Sequence, residues 1–272
     1  MIHRIRRFLL IVNLQTLIIS ILAVLSTALC IHYKILADFP FSLIAMSVVF
    51  PIVFSIGGAY KRREAALKEY AAIKGYLRAI FFVSRDWLEK PKKENVDKMV
   101  GIIGRFFSNF RTMFTGPIED LEENEEKIYD NFSEFSLYIK HELRGEGLSS
   151  GECSRTNQYL QKMMISFESI KHIYQYRTPR TLRAFSNLFI KILPILYGPF
   201  FAHMDSEFML GGENALGIGQ SYGLEYLIPV LLTMILVSLD NIQEHLENPF
   251  DQVGEDDITI NVEKFVGYLD HE

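Results

Sequence analysis

The sequence predicts an all-α membrane protein with four transmembrane helices in two hairpins and a large helical cytoplasmic insert between them. Three observations predict it. Four apolar stretches approach the ~20 residues that a helix needs to cross a hydrocarbon core. Charged residues lie mostly between Lys61 and Arg183, whereas apolar residues gather toward both ends. The pattern shows no strand-like alternation of period two and no internal repeat. The expected organisation is a first transmembrane hairpin over 1–60, a cytoplasmic helical region over 61–184, a second hairpin over 185–245 and a cytoplasmic tail over 246–272.

The first span runs from Phe8 to about His32 without a charged side chain, and its polar members Asn13, Gln15, Thr16 and Ser20 suit contacts with other helices. Its apolar run exceeds the ~7–15 residues of a signal-peptide core and carries no convincing small-x-small cleavage site, so a retained span is expected. The second span covers Phe39 to Tyr60, after a tight connection that holds Lys34 and Asp38. The third runs from about Phe185 to His203 with Lys191 inside it, and the fourth from Tyr226 to Leu239, with Asp240 and Glu244 directly after. A charge at membrane depth is costly and faces a bundle interior or water. Short or interrupted spans persist where protein or a water-filled cavity surrounds them.

Basic residues set the expected orientation. The chain opens Met1-Ile2-His3-Arg4-Ile5-Arg6-Arg7, Lys61, Arg62 and Arg63 follow the second span, and no Lys or Arg lies between His203 and Tyr226. The positive-inside rule then places both termini and the insert in the cytoplasm and Met204–Glu225 outside. With no transit-peptide pattern, a plasma membrane or bacterial inner membrane is the expected location.

Within the insert, Ala, Leu, Lys and Glu fill 64–74 and favour helix. A second helix is expected from Asn95 to Phe114, with Val96, Val100, Ile103, Phe106, Phe107 and Phe110 at helical spacing. Thr115-Gly116-Pro117 ends it. A third runs from Ile118 to about Leu143, a glycine-rich loop covers Arg144–Gly151, and a fourth helix runs from Cys153 to about Tyr176. Six acids fall among the eight residues Glu119–Glu126. They read either as a solvated helix face whose N-terminus favours negative charge or as a cation-attracting ring at a pore mouth.

Catalytic and metal chemistry finds little support. A net charge of −5 over 272 residues argues against a nucleic-acid binder. Cys30 lies in an apolar span and Cys153 in a polar segment, which reads as two buried thiols rather than a disulfide framework. His3, His32, His141, His172, His203, His245 and His271 are scattered without a pair at metal-ligand spacing. Neither a Gly-x-Ser-x-Gly nor a Walker-type motif is present, and Gly217-Ile218-Gly219 follows a membrane helix rather than a strand. Asn131-Phe132-Ser133 matches a glycosylation acceptor, but the topology places it in the cytoplasm. No enzyme activity, no cofactor, no metal and no nucleic-acid partner are expected.

Three local patterns together resemble the bestrophin family, including its bacterial and plant members. One is Asn248-Pro249-Phe250 after the last span, with Gly254-Glu255-Asp256-Asp257 following, similar to the family's Asn/Asp-Pro-Phe-Gly-acidic signature with a short insertion. Another lies in Phe54 through Glu64, where Phe54, Ala59-Tyr60 and Arg62 match spaced positions, with Ser84-Arg85 further on. The last is Tyr176-Arg177-Thr178-Pro179, leading into the third span. Span order and the long insert agree, so the resemblance covers nearly the whole chain.

The resemblance implies a homopentamer with one axial pore, an ion channel mostly anion-selective in eukaryotic members and cation-selective in some bacterial ones. Its narrow neck would be lined by Met46, Phe50 and Phe54, aligned on Phe54 and Arg62. These residues share one helix stripe, and five copies would stack three apolar rings that close by dewetting. Phe50, Phe54 and Gly58 form the competing register, and apolar residues facing lipid or core are the plainer alternative. The family's second constriction falls on Thr178, a polar departure from the pattern. Arg177, Arg180 and Arg183 nearby either flank the span as inside-positive residues or face the pore and favour anions.

Animal members bind calcium near the acidic tail. Here Asn248, Asp256 and Asp257 would be remnants of that site. His245 stands where the animal pattern has Gln, and Asp251-Gln252-Val253 changes the spacing, so no calcium clasp is expected. The resulting reading is a chloride-permeable channel whose partners are inorganic ions, the bilayer and further copies of the chain. A cation-selective homologue and a non-conducting scaffold or sensor are the alternatives. A transporter would show repeats and a midplane site, and the hairpins show no repeat.

Overall fold

The computed structural model describes residues 13–176, 179–210, 223–250 and 257–271. Their regular structure is helical throughout. Among the described residues four helical stretches are long and apolar enough to cross a membrane, as the sequence predicts. The chain divides into two compact units, one of residues 1–61 with 178–247 and one of residues 62–177 with 248–272.

The membrane unit begins with α1 (Leu14–Tyr33). Asn13 caps it through a reciprocal pair of bonds with Thr16, which satisfies amides that a helix start leaves unpaired. Lys34 closes the helix in a left-handed conformation, φ 56°, a position where glycine is the usual choice. Helix α2 (Phe41–Asp86) is a single 46-residue helix that starts in this unit. It continues unbroken past Tyr60, where the second span was expected to end. Gly57 and Gly58 do not break it, and good helix formers follow them. Pro51 sits inside it, which membrane helices tolerate.

Further along, α6 (Arg180–Leu196) and α7 (Gly198–Leu210) together supply the third span. A Cβ on Gly198 would lie 2.4 Å from Ser26 Oγ and 3.1 Å from the Ser26 backbone, so glycine suits the close start of α7 against α1. Ser26 Oγ also donates to the Ile195 carbonyl at 2.8 Å. Helix α8 (Leu224–Glu247) runs eight residues past the expected end at Leu239. Asp240 and Glu244 do not stop it, because charged residues do not end a helix, and Glu247 at its end pairs with Arg183 of α6. Ile19, Val48, Ile52, Ile190, Leu236 and Val237 form the unit's core. Asn13 Nδ2 donates to Asn241 Oδ1 across 3.2 Å.

The insert unit takes the remainder of α2 together with α3 (Lys93–Thr115), α4 (Leu121–Tyr138) and α5 (Ser150–Gln175). Helix α3 buries Ile103, Phe106, Phe107, Phe110 and Phe114, and Val96 and Val100 pack at the edge of the same core. It stops at Thr115, before Gly116-Pro117, as expected. A 3₁₀ turn (Ile118–Asp120) leads into α4, and a π-helical turn (Ile139–Leu143) follows it. Gly147, at φ 98°, then reverses the chain. The Leu148 amide bonds to the Leu143 carbonyl and the Gly147 amide to that of Arg144, a Schellman closure.

Two elements depart from the sequence reading. Helix α5 starts at Ser150 rather than Cys153, because Ser149 and Glu152 form a capping box inside the segment expected to be loop. The C-terminal segment, expected only as a tail, carries α9 (Val262–His271), with Val262, Phe265 and Leu269 buried. Both thiols, Cys30 and Cys153, are buried.

Candidate pore-lining site

The candidate stripe lies in the membrane half of α2. Met46, Phe50 and Phe54 are 63%, 59% and 68% exposed on the single chain. The rings of Phe50 and Phe54 meet edge to face, with centroids 5.0 Å apart at 72°. On the other side of the helix Val48, Ile52, Ser55 and Ala59 are buried. The 3.6-residue period therefore splits this helix into a packed face and a large apolar face left mostly uncovered by the described residues. Gly58, the third member of the competing register, is half-buried.

The second predicted constriction, Thr178, and its neighbour Arg177 lie outside the described residues. Pro179 caps α6 and Arg180 begins it. Arg183 is committed to an ion pair with Glu247, whose side chain is 4% exposed. Sequence reading did not find this pair, because nothing local links a residue of the third span to one far along the chain on the fourth.

The signature segment behaves as a packing device. Phe250 is fully buried among the insert's aromatic residues, 5.0 Å from Phe114 and 6.5 Å from Phe110 by ring centroids. The Pro249 carbonyl accepts the Ile258 amide at 2.7 Å, which ties the C-terminal segment back onto it. Asn248 Oδ1 is buried with no hydrogen-bond partner among the described residues. Asp256 lies outside the described residues, and among those described no cluster of three or more His, Cys, Asp or Glu is placed to hold a metal.

The acidic run divides. Glu119, Asp120, Glu122, Glu123 and Glu126 are exposed, while Asn124 is buried. Glu123 accepts from Lys127 at 2.6 Å, and that bond holds its carboxyl below the usual range. Glu125 turns toward α5, where Lys171 reaches it at 2.9 Å, Glu168 at 2.7 Å and the Tyr129 hydroxyl at 2.8 Å. Tyr129 also donates to Glu168. Burial works against the charge on Lys171, but Glu168, Tyr129 and Glu125 outweigh it and raise the lysine above its ordinary range. Burial likewise opposes charge on Glu168, and the bonds from Lys171 and Tyr129 still hold it below the usual carboxylate range.

No protein-family model and no curated protein sequence matches the chain. Solved structures do. A single-substitution variant of a bacterial bestrophin homolog from Klebsiella pneumoniae superposes with a TM-score of 0.70 at 17% identity, covering 94% of this chain and 97% of that one. A structure of that homolog solved by zinc phasing gives 0.70 at 14% identity, covering 94% and 95%. Another of its variants gives 0.71 at 14% identity, covering 94% and 97%. The chain has a bestrophin-like fold.

Proposed function

We propose that the chain assembles, as a homopentamer, into an ion channel whose neck is the exposed stripe of α2. One observation carries this reading: in a bestrophin-like fold, α2 leaves Met46, Phe50 and Phe54 uncovered on one face while its opposite face is packed. Copies around a shared axis would cover that face with its own image. The stacked rings would exclude water when narrow and conduct when widened, with no plug needed. Phenyl edges carry the positive rim of the ring quadrupole, which favours a passing anion.

Chloride is the proposed permeant ion. Arg177 and Arg180 would supply positive potential near Thr178, the proposed second constriction, whereas the charge of Arg183 is offset by Glu247. The exposed acids of 119–126 would favour cations, so a cation-selective channel is the alternative within the same architecture. Both termini and the insert are assigned to the cytoplasm by the basic residues around Lys61–Arg63.

The test is recording from purified protein in planar bilayers. Alanine at Met46, Phe50 and Phe54 together should raise the current or remove gating, and unchanged conductance and gating would reject the neck. Gly58→Leu separates the registers: it should narrow the pore only if Gly58, rather than Met46, completes the stripe. Reversal potentials under ion replacement identify the permeant ion. A monomer or dimer in mild detergent, with no conductance, would favour the scaffold reading instead.

A further inference from the structure

The seam between α6 and α8, within the membrane unit, holds polar groups that a pore on α2 does not use. Arg183, Asn187 and Lys191 recur at four-residue steps and share one stripe of α6, and Asp240, Gln243 and Glu247 share one stripe of α8. The two helices pack against each other. Arg183 pairs with Glu247, Gln243 Nε2 donates to Glu247 Oε1 at 3.2 Å, and Asp240 lies within electrostatic reach of Lys191, Glu244 and Arg183. The charges of Arg183 and Glu247 therefore have partners.

Several neutral polar atoms do not. On these two helices Ser186 Oγ, Asn187 Oδ1 and Gln243 Oε1 are buried with no hydrogen-bond partner among the described residues, as is Arg183 Nε. Ser186 is 0% exposed and Gln243 2%. Native proteins rarely leave such groups dry, because each then forfeits its hydration without replacement. The donor and acceptor inventory narrows what satisfies them. Two of the atoms are amide carbonyl oxygens that only accept, one is an N–H that only donates, and the hydroxyl does both. An anion accepts only and would leave the carbonyls unserved. A bare cation would leave the N–H unserved and would be repelled by the guanidinium. Water both donates and accepts, and buried water characteristically bridges groups of this kind.

We propose that the α6–α8 seam binds ordered water inside each subunit, forming a hydrated polar site apart from the α2 stripe. This water keeps Lys191 and Asp240 solvated at the depth of the span. The inference does not depend on conduction through α2.

Two measurements on the full chain test it. In a Cys30→Ala, Cys153→Ala background, Asn187→Cys should react with a small water-soluble thiosulfonate ~10-fold faster than Leu188→Cys, because thiolate forms only where water reaches it. Leu188, 52% exposed on the outer side of the same helix, is the lipid-facing reference. Equal or slower reaction at 187 overturns the proposal. Ser186→Ala gives a second reading that needs only a mild substitution. If water bridges the hydroxyl, the variant should lower the thermal midpoint by about 2–4 °C. A midpoint that rises or stays put means the hydroxyl was dry, and overturns the proposal.

Discussion

In the insert unit, Phe106, Phe107, Phe110, Phe114, Phe132, Phe135 and Phe167 turn inward from three helices and bury completely or nearly so. In the membrane unit, Leu14, Leu17, Ile21 and Leu25 of α1 turn outward, each more than half exposed. The same residue chemistry is placed in opposite ways because the two surroundings differ. Water drives aromatic side chains of the insert together. Lipid offers no such drive between helices, so association there rests on close approach and on polar contacts. The membrane unit accordingly buries Thr16, Ser20, Thr27, Ser186, Thr233 and Asn241. It also brings α7 against α1 at Gly198, where a Cβ would crowd Ser26.

The comparison can be broken most directly in the aromatic core. Phe250→Ala should destabilise the insert unit by about 3–5 kcal/mol, the usual cost of emptying a large buried aromatic site. Thermal unfolding and limited proteolysis of the C-terminal segment read this out, and an unchanged midpoint would mean the ring packing carries little of the unit's stability. A smaller effect, of the opposite steric kind, is expected in the membrane unit. Gly198→Val should cost about 1–3 kcal/mol through overpacking, measured as thermal stability in mild detergent. Gly57→Ala is its control, because a Cβ there meets nothing within 4 Å.

Smaller again is the capping box at the start of α5. Ser149→Ala should cost about 1 kcal/mol of insert stability, seen as a lower denaturant midpoint with an unchanged slope. The smallest effect concerns the Lys171 cluster, which is partly open to solvent and therefore screened. Glu168 is held below its ordinary range, so its contribution is present above the unfolded carboxylate value and is lost as pH falls through the depressed one. Lys171 is raised, so its contribution is complete below the unfolded lysine value and fades only as pH rises past the elevated one. Insert stability should therefore drop in acid, and Glu168→Gln should flatten that drop in a pH series of melting points.

The spans were legible because hydropathy and length act locally, residue by residue, along the chain. The helical insert was legible for the same reason, down to the stop at Thr115. Two local signals went unread: the Ser149-x-x-Glu152 box inside a glycine-rich segment, and the Val262, Phe265, Leu269 spacing of α9. Glycine content masks the cap in the first, and the second run is short enough to read as tail. The place of Phe250 was not legible, since its partners Phe110 and Phe114 are remote in sequence. The same holds for Arg183 with Glu247, and for the neutral atoms around them. The stripe Met46, Phe50, Phe54 can be read as a stripe from spacing alone, but its exposure beside a packed opposite face depends on residues remote in sequence.

Pro51 lies between the two phenylalanines of that stripe. Lacking an amide hydrogen, it leaves the Ser47 carbonyl without its helical donor, so the backbone bends there more cheaply than anywhere else along this stretch. The stripe thus carries a built-in point of compliance at mid-height. A modest flexure about Pro51 would swing Met46 and Phe54 by different amounts, and in the proposed channel it would turn a uniform bore into a tapered one without any side chain leaving its rotamer.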